Sequence, residues 1–195
     1  MKPPLKIKLD KEFKGNVWDL VGLVNLICIP TNGWYDKRQV TKLTEKVSRE
    51  ADKKFPGLKK DIGFTVSTFG NFAHFIKVIY PKNLVSHNID QYTRLAIFPT
   101  RSQYVKCNKK KINIIISKRD EYEKDDRVPG YYASPSLKLI EESSKFLLGQ
   151  VECLKLKKVV IVKPEDIDWE DVKEVFKEVG IYNHPSFYFI KHRGE

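Results

Sequence analysis

Residues 24–33, with the sequence VNLICIPTNG, limit the fold of this chain more than any other stretch. The segment begins with mostly branched apolar residues and changes at Pro30 to polar residues and glycine. Such a run is typical of a strand that is buried on both faces of an α/β sheet. Ligands of open α/β sheets bind beyond the carboxyl ends of the strands, so Asn32 is the first candidate functional residue.

Length and composition indicate one globular domain. The chain has 195 residues, of which 41% are hydrophobic, which is enough for a single core over residues 1–195. No apolar run approaches the ~18 residues that a membrane span needs. The first 14 residues lack the apolar core of a signal peptide. We therefore expect a cytoplasmic protein without membrane contact.

The charge of the chain permits nucleic acid as a partner without requiring it. The formal net charge is +11, and most of the basic residues are lysines scattered along the chain. A basic surface can bind phosphates, but scattered lysines are also common in heat-adapted proteins. The one local cluster, KCNKKK at residues 106–111, is either a solvated turn or a phosphate contact.

Cysteine and histidine usage gives no sign of a metal, a cofactor or a disulfide framework. The three cysteines, Cys28, Cys107 and Cys153, have no CxxC spacing. We expect Cys28 and Cys153 to be small core residues, because their neighbours are apolar. The four histidines have no pair spacing that suits a metal: His74, His87, His184 and His192.

Hydrophobic periodicity predicts alternating strands and helices. Apolar residues at three- and four-residue steps from Val40 to Phe55 predict a helix of about five turns that Pro56 and Gly57 end. Ser134 is predicted to cap one later helix, and residues 168–171 (DWED) are predicted to open the last helix with acids in its first turn. The predicted strands cover residues 5–9, 24–29, 73–79, 94–98, 112–117, 158–162 and 186–191. This order predicts a three-layer α/β/α domain with a mixed central sheet.

Several stretches occur in a set order along the chain: residues 14–19 (KGNVWD), 29–33 (IPTNG), 47–58 (VSREADKKFPGL), 139–144 (LIEESS) and 168–176 (DWEDVKEVF). In this order they resemble a macrodomain, and more narrowly the macro-like proteins of phage and bacterial genomes. The resemblance spans nearly the whole chain.

The resemblance implies a fold and a ligand. Macrodomains bind ADP-ribose, and many hydrolyse it from modified protein or nucleic acid. By resemblance, Asn16 stands where the family has an aspartate that reads the adenine amino group. Asn32 matches the asparagine near the scissile bond and is the candidate catalytic residue, with a loop-capping asparagine as the alternative. The other candidate ligand-binding residues are Gly15, Val17, Thr31, Gly33, Lys37, Arg38 and Lys42.

The chain departs from the family at both loops that would face phosphate. Family members carry glycines there, which let backbone amides converge on an anion. Residues 34–45 and 163–167 contain no glycine, and Glu165 and Asp166 would repel a diphosphate. Lys37, Arg38 and Lys42 either replace the lost amides with side-chain charge or are exposed residues at a helix start.

Two hypotheses follow. In the first, the chain is a divergent macrodomain-like protein that binds ADP-ribose, a related nucleotide or a nucleic-acid end, and any enzymatic activity is of the ADP-ribosyl hydrolase type. In the second, it is a degenerate macro fold that acts as a non-catalytic module for a protein or nucleic acid. An open cleft beyond Asn32 would favour the first, and side chains that fill it would favour the second.

Overall fold

A six-stranded sheet forms the centre of the molecule in the computed structural model, which describes residues 9–81 and 92–194. Four α-helices and three short 3-10 helices surround the sheet in this part of the chain. The strands of the central sheet are β1 (Glu12–Gly15), β2 (Leu26–Asn32), β3 (His74–Ile79), β4 (Thr93–Arg101), β7 (Val159–Val162) and β8 (Phe187–His192), and a small hairpin pairs β5 (Tyr104–Lys106) with β6 (Arg127–Pro129).

The sheet has the order β1-β8-β7-β2-β4-β3. All neighbouring pairs are parallel except β3 and β4, which are antiparallel, so the sheet is mixed. β2 lies between β7 and β4, and all seven of its residues are buried. The prediction of a central strand buried on both faces is therefore confirmed.

The two faces of β2 pack against different helices. Ile27 and Ile29 pack in one core cluster with residues of α1 (Lys46–Lys54) and α2 (Leu58–Phe69). Leu26 and Cys28 pack in a second cluster with residues of α3 (Leu137–Cys153) and α4 (Trp169–Val179). Alternate residues of a strand face opposite sides, so helices cover both sides of the sheet. This confirms the predicted three-layer α/β/α architecture.

The first predicted helix begins later than predicted. The periodic pattern starts at Val40, but α1 begins at Lys46. The preceding residues form a tight loop in which Asp36 Oδ1 accepts the backbone N–H groups of Arg38 and Val40 at 2.8 and 2.9 Å. Gln39 adopts a left-handed conformation with φ 58°, which interrupts any helix at that point. Pro56 and Gly57 do end α1 as predicted.

The helix α2 was missed, and its glycine gives the reason. Gly63 lies in the middle of α2, where glycine lowers helix propensity. A Cβ at Gly63 would collide with the backbone carbonyl of Gln39. The glycine therefore lets α2 approach the loop between β2 and α1, which the local pattern does not indicate.

Three further local predictions were wrong. Residues 112–117 form no strand but an isolated bridge between Ile114 and Ala133, because the Lys118 N–H donates back to the Ile115 carbonyl and starts a 3-10 helix. Ser136, not Ser134, caps α3, by accepting the N–H of Leu139. Cys153 is exposed at the end of α3, since Leu147 and Val151 define the buried face of that helix.

Some predictions lie outside the described residues. The strand predicted over residues 5–9 falls almost entirely there, and so does His87. In the part of the chain that the structure describes, no helix is long and apolar enough to cross a bilayer.

Candidate functional site at the carboxyl edge of the sheet

Five parallel strands end along one edge of the sheet, and the last residues of four of them form the candidate site. β2 ends at Asn32, β4 at Arg101, β7 at Val162 and β8 at His192. Because these strands run in the same direction, their carboxyl ends lie at the same edge. Sequence reasoning identified Asn32 and missed the other three.

The amide of Asn32 holds the loop that follows β2. Its Nδ2 donates to the carbonyl oxygen of Lys42 at 2.6 Å, and its Oδ1 accepts the N–H of Trp34 at 3.0 Å. The residue is only 1% exposed. The side chain therefore spans both ends of the loop with one donor and one acceptor.

The neighbours of Asn32 are also engaged within the fold. The Gly33 N–H donates to the carbonyl of Arg101 at 3.0 Å, and the Thr31 carbonyl accepts the hydroxyl of Thr100 at 3.3 Å. A Cβ on Gly33 would collide with the amide of Asn71, which explains the glycine at this position. The Thr31 hydroxyl is buried without a partner among the described residues.

The predicted adenine-facing segment lies at the other end of the edge, after β1. Asn16 Oδ1 accepts the Trp18 N–H at 3.0 Å and caps a 3-10 helix at Val17–Leu20. The Val17 N–H donates to His192 Nδ1 at 3.2 Å, and His192 Nε2 lies 2.7 Å from Glu50 Oε2. Since Nδ1 accepts, the ring proton belongs on Nε2 and points to the glutamate.

Arg101 forms the most buried charged cluster of the edge. Its side chain is 1% exposed, and Nη1 donates to the Ala133 carbonyl at 2.7 Å. Nη2 donates to Glu45 Oε1 at 3.3 Å and, in a shorter contact, to Asp166 Oδ2. The guanidinium thus joins the end of β4 to the residue before α1 and to the loop after β7.

The loop after β7 places a second carboxylate beside this cluster. Glu165 Oε2 accepts the N–H of Lys46, the first residue of α1, at 3.5 Å, and the Glu165 N–H donates to Glu45 Oε2 at 3.3 Å. Burial raises the pKa of Glu45, Arg101 lowers it, and the charges of Glu165 and Asp166 raise it again. The guanidinium therefore contacts two carboxylates, and the third, Glu165, lies close enough to Glu45 to raise its pKa.

Two solved structures resemble this fold. The macrodomain of Thermus aquaticus DarG matches with a TM-score of 0.54 and 12% sequence identity, over 94% of this chain and 97% of that one. The macrodomain of Mycobacterium tuberculosis DarG matches with a TM-score of 0.50 and 12% identity, over 88% of this chain and 90% of that one. The fold is that of a macrodomain. No protein-family model and no curated protein sequence matches the chain.

Two clefts flank the loop after β7 at the carboxyl edge of the sheet. The first has a volume of about 440 Å³ and includes Glu165 in its lining. The second has a volume of about 740 Å³ and includes Asp166. Because these two residues are adjacent in sequence, the loop stands between the clefts. The first cleft is lined by Val162, Lys163, Pro164, Glu165, Ile167, Asp168, Trp169, Lys191 and His192, and the second by Ile114–Ser117, Arg119, Ser134, Pro135 and Asp166.

The carboxyl edge of the sheet therefore has two unlike halves. We call Asn32, Glu45, Arg101 and Asp166 the closed half, because their polar groups contact one another and the backbone. We call the cleft between Val162 and His192 the open half. Glu12 lies beside Trp169, Lys163 and Tyr182 and ties this half to β1.

The predicted cations lie on the loop before α1 and not in the closed half. The side chains of Lys37 and Arg38 are exposed. Lys42 Nζ lies 4.2 Å from the centre of the Tyr131 ring and 5.3 Å from that of Tyr132. We name the surface formed by Trp34, Lys42, Lys118, Tyr122, Tyr131 and Tyr132 the aromatic surface.

The structure thus divides the predicted site residues into three groups. Asn32, Thr31 and Gly33 are brought to the edge, but Asn32 and Gly33 bond to the protein itself. Gly15, Asn16 and Val17 lie near His192 at the end of the open half. Lys37, Arg38 and Lys42 lie on the loop. The catalytic role of Asn32 stays a prediction, and in this geometry its amide positions the loop.

Proposed function

We propose that the chain binds ADP-ribose or a related nucleotide at the carboxyl edge of its macrodomain fold. The observation that supports this most is the open half, which is a cleft at the ends of two parallel strands. Its volume of about 440 Å³ falls in the range of small-molecule sites, roughly 300–1,000 Å³. Its position matches the general rule for ligands of open α/β sheets.

The lining of the open half suits a nucleotide. Val162, Pro164 and Ile167 provide apolar surface for a base or sugar, and Lys163 and Lys191 provide positive charge for a phosphate. Lys163 is held in place by Glu12 Oε2 at 2.5 Å and lies 3.9 Å from the centre of the Trp169 ring. Lys191 is exposed and is therefore the cation that a ligand reaches most easily.

The proposed function does not include hydrolysis by Asn32. A catalytic amide has to reach the substrate, but both polar groups of Asn32 are used by Lys42 and Trp34. Breaking these bonds would leave buried polar groups unpaired, at about 1–3 kcal/mol each. We therefore propose binding as the activity of the edge.

Calorimetry with ADP-ribose and with AMP tests the proposal. We expect both to bind, because AMP needs only the open half. Lys191→Ala is expected to weaken AMP binding several-fold, and Lys60→Ala, an exposed lysine on α2, is the matched control. Absence of both binding heat and a thermal shift at millimolar ADP-ribose would contradict the proposal.

A second candidate function is binding of single-stranded nucleic acid by the aromatic surface. The ring centres of Trp34 and Tyr131 are 4.9 Å apart, and those of Tyr131 and Tyr132 are 4.5 Å apart. Lys42 and Lys118 lie over these rings. Aromatic rings beside cations are the usual platform for stacked bases and phosphates.

Fluorescence anisotropy with a labelled single-stranded oligonucleotide tests this candidate over a series of salt concentrations. Lys42→Ala is expected to weaken binding several-fold and to reduce the salt slope by about one, because one phosphate contact is lost. Lys60→Ala again serves as the control. Equal affinity for a duplex of the same sequence would contradict stacking on the aromatic surface.

A further inference from the structure

We propose that the Arg101 guanidinium and the first turn of α1 form an anion site that the chain's own Asp166 and Glu165 carboxylates occupy, and that a nucleotide diphosphate displaces them. This inference rests on the proposed function, because it names the control of the same edge. In this proposal the loop after β7, residues 163–168, acts as a latch. In its closed position its own carboxylates occupy the anion site, and in its open position a ligand does.

Arg101 has the properties of an anion receptor. A guanidinium presents a planar set of donors that matches carboxylate and phosphate oxygens. Here it is buried at the end of β4, with Nη2 on two carboxylates. Its Nε is buried without a partner among the described residues, so the donor set is not exhausted.

The two carboxylates on Arg101 differ in how easily they can leave. The Glu45 side chain is 2% exposed, whereas the Asp166 side chain is 61% exposed. Asp166 can therefore return to water with little change of environment, and Glu45 cannot. An incoming anion would exchange with Asp166 and leave the Arg101–Glu45 pair in place.

The Glu165 carboxylate occupies the second positive group of the site, which is the amino-terminal end of α1. Its Oε2 accepts the Lys46 N–H at the start of α1, where the helix carries partial positive charge. Asp166 and Glu165 are neighbours in sequence, so a movement of one loop removes both carboxylates. The two phosphates of a diphosphate would replace these two carboxylates, one at the Arg101 guanidinium and one at the start of α1.

Movement of the loop also joins the two clefts. Glu165 lines the cleft of the open half and Asp166 lines the cleft beside Ile114 and Arg119. With the loop in its closed position, each cleft is separate. A ligand with a nucleoside at one end, a sugar at the other and a diphosphate between them would occupy both clefts and cross Arg101.

Calorimetry with inorganic pyrophosphate and with ADP-ribose tests the latch at constant ionic strength. Asp166→Asn is expected to bind both about ten-fold more tightly than the original chain, because the competing anion is gone. Asp171→Asn is the control, since it removes the same charge from an exposed position on α4 that does not contact Arg101. Thermal unfolding of each variant confirms that it is folded.

A second variant separates Arg101 from general charge effects. In the Asp166→Asn background, Arg101→Lys keeps the charge but loses the planar donors, and we expect the gain in pyrophosphate affinity to disappear. The inference is overturned if Asp166→Asn and Asp171→Asn behave alike, if Arg101→Lys leaves the gain unchanged, or if no variant binds pyrophosphate.

The outcomes also distinguish this inference from the proposed function. If the variants bind pyrophosphate as expected but neither they nor the original chain binds ADP-ribose, the latch is supported and the proposed function fails. If the original chain binds ADP-ribose and Asp166→Asn changes nothing, the proposed function stands and the latch is refuted.

Discussion

The closed half and the open half of the sheet edge are both built from the ends of parallel strands, but they differ in how far their polar groups are exposed to solvent. In the closed half, Asn32 and Arg101 are nearly inaccessible to water, and every hydrogen bond described for them ends on the protein. In the open half, Lys191 is exposed and a cleft remains between β7 and β8. The same topology therefore presents one region whose polar groups bond mostly within the protein and one that is open to solvent.

The difference follows from the loops and not from the sheet. A glycine-rich loop would offer backbone amides to a ligand, but the glycine-free loops of this chain bring side chains that fill that space. Once Arg101 is buried there, carboxylates have to accompany it, because an unpaired buried charge is costly. The comparison teaches that the ends of similar parallel strands can carry very different side-chain environments.

The largest expected effect comes from Arg101→Ala in the closed half. Removal of the guanidinium leaves Glu45 buried without its partner, so we expect a loss of about 3–5 kcal/mol in the free energy of unfolding, measured by urea denaturation. Lys191→Ala in the open half is the control and should change it by less than about 0.5 kcal/mol. Similar losses in the free energy of unfolding for both variants would contradict the contrast between the closed and the open half.

Adding Glu45→Gln to Arg101→Ala sharpens this result. If the cost arises from the uncompensated carboxylate, the double variant should recover part of the lost stability. Equal stability of the single and double variants would show that the cost lies elsewhere.

The next largest effect is expected for Asn32→Asp. The aspartate still accepts the Trp34 N–H but places a second acceptor against the Lys42 carbonyl, so a loss of about 2–3 kcal/mol is expected by urea denaturation. Asn16→Asp is the matched control near the open half. Since Asp is as good a cap as Asn, that change should be close to neutral. If Asn32→Asp leaves the free energy of unfolding unchanged, Asn32 does not position the loop.

A smaller effect is expected for Asp168→Ala, at the start of α4 beside the open half. The Asp168 side chain accepts the Glu170 N–H at 2.8 Å. Its removal should cost about 1 kcal/mol in thermal or urea unfolding, whereas Asp168→Asn should restore most of that loss. A cost as large as that of Arg101→Ala would mean that the open half is also held by a buried polar network.

The two halves are also expected to differ in their response to acid. Burial alone would raise the pKa of Glu12, but hydrogen bonds from Lys163 and Tyr182 lower it from 4.5 to about 2. The stability from Glu12 is therefore present above pH 4.5 and is lost as the pH falls toward 2. Burial raises the pKa of Glu45, so its contribution is present below pH 4.5 and is lost as the pH rises through its pKa in the folded chain.

Urea unfolding between pH 2.5 and 6 measures these opposite contributions. Glu12→Gln should flatten the loss of stability on acidification, and Glu45→Gln should raise stability at pH 6 relative to pH 3. If both variants change the pH profile in the same direction, the electrostatic contrast between the halves is wrong.

Much of the fold could be predicted from the sequence because the patterns that indicate its strands and helices are local. The buried run of β2, the short strand β7 and the acidic first turn of α4 all depend on neighbouring residues, and all three are present in the structure. The start of α1 was misplaced because Asp36 binds nearby backbone groups and stops the helix. Hydrophobic periodicity alone does not reveal that the Asp36 side chain competes with the helix for these backbone N–H groups.

The closed half was not predictable because its partners are distant in sequence. Arg101 meets Glu45 across 56 residues and Asp166 across 65 residues. An arginine after a buried strand was the only local signal, and it does not identify the acids. The sequence correctly pointed to Asn32 as a residue of the edge, but only the structure shows that its amide is turned to Lys42 and Trp34.

The central claim is that ligands enter through the open half and Arg101 while Asn32 holds the loop. A titration of isotopically labelled protein with ADP-ribose, followed by nuclear magnetic resonance, tests it most directly. We expect shifts in the backbone amides of Lys46 and Glu165 and in the side-chain signal of Arg101, with the Asn32 side-chain amide and the Trp34 amide unchanged. Large shifts of the Asn32 and Trp34 signals, with none at Arg101, would contradict it.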